Sequence, residues 1–268
     1  MEPKPSHYSA AYGAWFKDPL VIAAYPARPP YPPELFTLLR SLAVDTPCTV
    51  LDIGAGTGDI ARRLAPLVDH VTAVDFSAGM IELGQRLSGG DAPNLTWIHA
   101  AVEEASLEPP YALVTAGESL HWMAWDIVLP RLADALAPRG VLAIVEREWN
   151  DPDALRPRVI DLIARYSPVR DYRPHALTHE IERRGLFHPV GMRRCGPIDW
   201  TPTIDEYIEA RHSQRGCSRT HMGPEAVAAF DANLRALLEE QFPRTPDGRL
   251  QLTVGARVTW GTPSRTVD

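Results

Sequence analysis

Residues 50–65 read VLDIGAGTGDIARRLA. The apolar run TVLDI at 49–53 has the character of a buried strand, and Gly54, Gly56 and Gly58 follow it at alternate positions. A strand that meets a glycine turn and then a helix brings bare backbone close to a ligand. Asp52 stands two residues ahead of the first glycine. A P-loop is excluded, because Gly58 is followed by Asp59 and Ile60 and not by Lys-Ser/Thr. The dinucleotide fingerprint G-x-G-x-x-G is one residue longer than this G-x-G-x-G, and a pyrophosphate would meet the Asp52 carboxylate. A ligand carrying an ammonium or sulfonium group would instead pair with it.

The rest of the chain supplies the frame around this turn. HVTAVD (70–75), LTWIHA (95–100), YALVTAG (111–117) and PRGVLAIVE (138–146) read as further strands. Between them the pattern predicts helices over 57–67, 78–87 and 127–136. Alternation at this spacing specifies an α/β fold, a doubly wound Rossmann-like sheet that is mostly parallel. Beyond residue 147 helices are expected over 153–166, 175–185, 203–212 and 224–241. Strands near 188–198 and 250–260 would form an antiparallel edge and bring the sheet to about seven strands. The organisation expected is one domain: an N-terminal cap (1–45) with a helix over 33–41, a core (46–147), and a C-terminal half (148–268). Its insertion 203–241 forms a helical cap.

Composition narrows the function. The 268 residues carry 27 Lys and Arg against 34 Asp and Glu, a net charge of -7, which argues against a nucleic-acid partner. Three cysteines without CxxC spacing give neither a zinc site nor a disulfide framework, and no metal is expected. No apolar run of membrane-spanning length appears, so no membrane partner and a cytoplasmic location are expected. The oligomeric state is left open.

Asp75 ends the second strand, 17 residues past Gly58, where an acid can take both ribose hydroxyls of a nucleoside. A cationic nucleoside without pyrophosphate is S-adenosylmethionine. VLDIGAGTGDIARRLA, VTAVDFSAGMIELGQ, AAVEEASL and LAPRGVLAIVE resemble the successive motifs of the class I S-adenosylmethionine-dependent methyltransferases. YPARPPYPPELF and ESLHWM are similar to the branch called methyltransferase type 11, which includes trans-aconitate methyltransferase-like enzymes. The resemblance implies that Gly54, Ala55 and Gly56 approach the methionyl part with Asp52 close by. Asp75 would take the ribose, Phe76 and Met80 would line the nucleoside, and the Val102 backbone would meet adenine. Where many members place an Asp this chain has Ala101, and Glu103 is the candidate replacement.

Ligands of doubly wound sheets lie beyond the carboxyl ends of the strands, which directs Gly117, His121 and Trp122 toward the cofactor and its acceptor. His121 is the candidate general base, with a structural role beside Trp122 and Trp125 as the alternative. Tyr25, Arg28 and Tyr31 of the proline-rich entry could fold over the site, with Arg28 near a carboxylate of cofactor or substrate. RHSQRGCSRTHM (211–222) is basic, and Arg211 is its candidate contact to an anionic acceptor. EPPY (108–111) resembles the D/N-P-P-Y signature of amino-methylating enzymes but precedes the fourth strand, so the match is accidental. The expected activity is methyl transfer to a small molecule, on a carboxylate or hydroxyl oxygen. An NAD-dependent oxidoreductase and a non-catalytic S-adenosylmethionine-binding protein are the alternatives.

Overall fold

Along the first strand, β1 (Thr49–Ile53), Leu51 and Ile53 join one apolar cluster and Val50 joins another. All three are fully buried. A strand buried on both sides belongs at the middle of a sheet covered by helices on each face. The computed structural model, which describes residues 4, 10–169, 177–242 and 248–265, places it there. The other strands are β2 (His70–Asp75), β3 (Leu95–His99), β4 (Tyr111–Gly117), β5 (Leu136–Asn150), β6 (Phe187–Trp200) and β7 (Leu252–Pro263). They form one sheet of seven strands in the order β3-β2-β1-β4-β5-β7-β6. The first five are parallel, and β7 runs antiparallel to both neighbours. The expected α/β class and antiparallel edge are therefore present, with β7 threaded between β5 and β6. The strand order reverses between β1 and β4, where open α/β sheets leave their ligand crevice.

The helices are α1 (Ala10–Gly13), α2 (Pro19–Ala24), α3 (Pro33–Leu42), α4 (Ala61–Leu64), α5 (Ala78–Arg86) and α6 (Trp125–Ala135). They continue with α7 (Arg156–Tyr166), α8 (Leu177–Arg183), α9 (Ile204–His212), α10 (Arg219–Met222) and α11 (Pro224–Gln241). Trp125, Leu129 and Leu132 of α6 and Ile181 of α8 pack on one face of the sheet; Leu35 and Leu39 of α3 and Leu64 of α4 pack on the other. A third cluster joins Val159 of α7, Tyr207 of α9 and Phe230, Leu234 and Leu238 of α11. Helices α9 to α11, which lie between β6 and β7 in the chain, thus share a core with α7 and the start of β7. The start of the helix expected over 175–185 lies outside the described residues, as do residues 1–3 and 5–9 of the N-terminal cap.

The helix expected over 57–67 is shorter. Gly54, Gly56 and Gly58 all have positive φ, so the chain turns until Ile60 before α4 begins. Pro66, which lacks an N–H, tightens its end into a 3-10 turn over Ala65–Leu67. The helix expected over 127–136 begins earlier, at Trp125: the Ala124 carbonyl already accepts from the N–H groups of Ile127 and Val128, and the Ala124 N–H is held by the Glu103 carboxylate at 2.8 Å.

Gly58 answers to packing. Its φ is +72°, and a Cβ there would stand 2.4 Å from Cη2 of Trp97, whose indole N–H is fixed to the Gly90 carbonyl at 2.9 Å. Gly58→Ala should cost about 1–3 kcal/mol. An unchanged urea midpoint would show that the turn and Trp97 yield freely.

Candidate active site

Two adjoining cavities open at the carboxyl ends of β1, β2, β4 and β5. The first is lined by Gly54, Gly56, Asp75, Phe76, Met80, Val102 and Glu103, roofed by Phe16 and Tyr25, and bounded by Gly117, Trp122 and Met123. It is mostly apolar. Asp75 ends β2, and its carboxylate accepts from the N–H of Gly56 at 2.7 Å and of Ser77 at 2.8 Å. Each oxygen keeps a lone pair for a further donor. Burial pushes this carboxyl up, and those two N–H groups oppose the shift. Gly54 is obligatory here, since a Cβ would stand 2.5 Å from the Ser119 Cβ. At Gly56 a Cβ would point at the Tyr25 hydroxyl, 3.3 Å away.

The second cavity lies beside the first. Its wall includes Arg28, His121, Glu146, Arg147, Trp149, Leu177, Gln214 and Arg215. Phe16, Glu118, Ser119 and Trp122 line both cavities and form the boundary between them. Arg147 donates to Asp59 at 2.7 Å and lies over the Tyr31 ring at 4.0 Å, while its buried Nε has no hydrogen-bond partner among the described residues. Arg215 lies over Trp122 at 4.8 Å, and the His121 ring is 4.1 Å from that of Trp122.

The roof comes from two distant parts of the chain. Arg28 donates to the Ser213 hydroxyl at 3.0 Å, the Ser213 carbonyl at 2.9 Å and the Tyr25 hydroxyl at 3.1 Å. Trp15 stacks on His221 with ring centroids 3.6 Å apart. The strap 15–28 is thereby fastened to the cap formed by α9 and α10.

Of the residues chosen from sequence as cofactor contacts, Gly54, Gly56, Asp75, Phe76, Met80, Val102, Glu103 and Gly117 line the first cavity. Arg28 lines the second. Among the expected substrate contacts, Tyr25 roofs the first cavity, and Trp122 bounds both. Ala55 packs against the core beneath the turn and lines neither. Asp52 departs from expectation. Its carboxylate accepts from the Ala61 N–H at 3.1 Å and the Thr115 hydroxyl at 2.8 Å, so it ties α4 and β4 to β1, and it lines neither cavity. Tyr31 is buried beneath Arg147. Arg211 lines neither cavity: it pairs with Asp151 at 2.5 Å and stacks on Trp149 at 4.1 Å, and from the basic segment 211–222 it is Arg215 that joins Arg28 and Arg147 in the second wall. Sequence reading passed over Glu118, which follows β4 directly, and Arg147, which lies within β5.

The comparisons agree with this geometry. Residues 50–140 match the model of a methyltransferase domain. A malonyl-[acyl-carrier protein] O-methyltransferase of Anoxybacillus flavithermus is 40% identical over a match spanning 66% of this chain and 60% of its own length. A trans-aconitate 2-methyltransferase of Yersinia pestis is 24% identical over 79% of this chain and 85% of its own. The structure of a methyltransferase from Geobacter sulfurreducens in complex with S-adenosyl-L-homocysteine shares the fold, with a TM-score of 0.52, 18% identity, and coverage of 91% of this chain and 96% of that one. Residues 50–140 are thus a methyltransferase domain. Its cofactor is S-adenosylmethionine, and the nicotinamide alternative falls with that assignment. The first cavity fits: bare backbone at two glycines, an acid for a diol, and apolar walls for a base.

Two outcomes test the site. Burial pushes the Asp52 carboxyl up to about 7, above the ~3.9 of an unfolded chain. The folded state holds that proton more tightly, so the associated stability is full below the unfolded value and is lost as pH rises toward the folded one. Relative to wild type, the melting temperature of ligand-free Asp52→Asn should therefore climb between pH 4 and pH 7; a constant difference would contradict the buried assignment. Asp75→Ala should weaken S-adenosylmethionine at least tenfold in calorimetry, since charge-assisted hydrogen bonds contribute roughly 1.5–3 kcal/mol each. Wild-type affinity would remove Asp75 from the ribose.

Proposed function

We propose that the protein transfers the methyl group of S-adenosylmethionine to a carboxylate oxygen of a small organic acid. The observation that carries this reading is the second cavity, whose wall holds Arg28, Arg147 and Arg215 against Glu118 and Glu146. Glu146 is itself paired with Arg257 at 2.8 Å, and Arg147 with Asp59 at 2.7 Å, so the balance favours an anion. The malonyl and trans-aconitate names of two relatives lend the same support, since both denote acids.

The chemistry asks little of acid–base groups. A carboxylate oxygen forms its bond to the methyl carbon while the carbon–sulfur pair returns to sulfur, and no proton moves. What the chain contributes is alignment and exclusion of water. Asp75, Phe76, Met80 and Val102 hold the nucleoside end, and the boundary residues Phe16 and Trp122 keep the reacting atoms dry. Val102 presents its backbone to adenine, and Glu103, its carboxylate partly used on Ala124, stands near the base. In this reaction His121 helps to bind the acid. A hydroxyl acceptor is the second reading, favoured by His121 in the cavity wall, where the imidazole would take the proton.

A panel of small carboxylic acids and phenols, scored by release of S-adenosylhomocysteine, tests the assignment, because a methyl ester is cleaved by mild base and a methyl ether is not. With an acid, His121→Ala should raise KM and leave kcat nearly intact. With a hydroxyl, the same change should lower kcat by roughly two orders of magnitude. Cofactor binding without turnover on any acceptor would favour the non-catalytic alternative.

A further inference from the structure

Sequence alone paired a cationic ligand with Asp52, and the structure places that residue in the sheet, bonded to Ala61 and Thr115 and lining neither cavity. The charge still needs a counter-group. Methyl transfer requires the methyl-bearing atom to face the acceptor, so the sulfonium of a bound donor belongs at the boundary of the two cavities. Four of the described residues line both sides of it: Phe16, Glu118, Ser119 and Trp122. Two are aromatic. Ser119 spends its hydroxyl on the Ile53 carbonyl at 2.7 Å. Glu118 is the ionisable member.

Glu118 is also built to stay in place. It follows β4 directly and has φ of 55°, a left-handed conformation unusual for a residue with a side chain. Its N–H donates to the Val145 carbonyl at 3.0 Å, and its Oε1 accepts from the Arg147 N–H at 2.9 Å. Backbone at both ends holds the residue against β5. A strained, doubly tethered carboxylate where two ligands meet calls for a functional reason.

We propose that Glu118 reads the charge of the cofactor, favouring the cationic donor S-adenosylmethionine over its neutral product S-adenosylhomocysteine. The proposal rests on the methyltransferase reading of the first cavity and is independent of the acceptor. The two ligands differ by one methyl group and one positive charge, so contacts to ribose, adenine and the methionyl part cancel in a comparison. A carboxylate at the boundary binds the cation before transfer, and its hold weakens once the sulfur is neutral. Product then leaves more readily than donor. Asp75 and the turn glycines contribute equally to both ligands and cannot supply this difference.

Titration offers a second handle. Burial raises the Glu118 carboxyl, opposed by Arg147 of β5 and Arg28 of the strap, and Glu146 of β5 adds to the rise. Tyr31 beneath Arg147 and Arg257 of β7 face the same group. The sulfonium makes the donor's own ammonium more acidic than the product's, so the two affinities are compared below about pH 7, where both amino-acid ends carry the same charges and the ratio isolates groups near sulfur.

The experiment is calorimetric titration of the full chain with each ligand, in wild type and in Glu118→Gln. Glutamine can still accept from the Arg147 N–H, so the variant removes charge and preserves the tether. We expect about a tenfold loss for S-adenosylmethionine, the scale of one charge-assisted contact, and less than about twofold for S-adenosylhomocysteine. In wild type the preference for the donor should grow as pH rises through the Glu118 titration, and in the variant it should be flat over that range. Equal losses for the two ligands, or none, would overturn the proposal. Should the variant not fold, a preference independent of pH in wild type would overturn it equally. Wild type that binds neither ligand would instead refute the methyltransferase reading itself.

Discussion

The buried carboxylate of Asp52 holds together the three elements that make the site. It lies in β1, takes the hydroxyl of Thr115 from β4 at 2.8 Å, and takes the first helical N–H of α4 from Ala61 at 3.1 Å. The chain between Asp52 and Ala61 must therefore close a tight loop, which it does through glycines with positive φ at 54, 56 and 58. That loop leaves backbone and no side chains at the floor of the first cavity. The Asp75 carboxylate then fixes the loop from the β2 side through the Gly56 N–H. Two acids, one turned inward and one bordering the cavity, set the crevice at the point where the strand order reverses.

What the sequence made legible is what local spacing encodes. The glycine turn, Asp75, Phe76 and Met80 fall within one βαβ unit, where strand and helix lengths fix their relative positions, and they do line one cavity. The alternation of strands with helices announced the sheet, because residues buried on both faces leave few other arrangements. The failures are equally physical. The direction of the Asp52 side chain depends on Thr115, 63 residues away in sequence. The choice between Arg211 and Arg215 depends on Asp151 and Trp149, which sequester the former. Glu118 passed unnoticed because its meaning comes from being shared by two cavities, and no run of residues records that.

The roof shows how the site can be both closed and accessible. Strap and cap meet through polar and aromatic contacts, Arg28 on Ser213 and Trp15 on His221. The sheet beneath them is joined by continuous hydrogen-bond ladders and two apolar clusters. Contacts of the first kind separate at much lower cost than a packed core. Motion that admits ligands is thus confined to elements whose displacement leaves the strand register intact. Among the described residues no helix is long and apolar enough to cross a membrane.

The insertion of α9 to α11 between β6 and β7 has an evolutionary consequence. Both flanking strands are paired to each other over a long antiparallel ladder, so the ends of the insertion are pinned whatever its interior contains. The insertion packs its apolar side on α7, so only its outward turns and the residues it lends to the second cavity are free to change without disturbing a core. Lineages could therefore rewrite those turns, and with them the Gln214 and Arg215 part of the second cavity's wall, while the crevice built by β1, β2 and β4 is inherited unaltered. Variation of that wall needs no change at the crevice, since selection can act on one stretch of chain whose ends the ladder keeps in place.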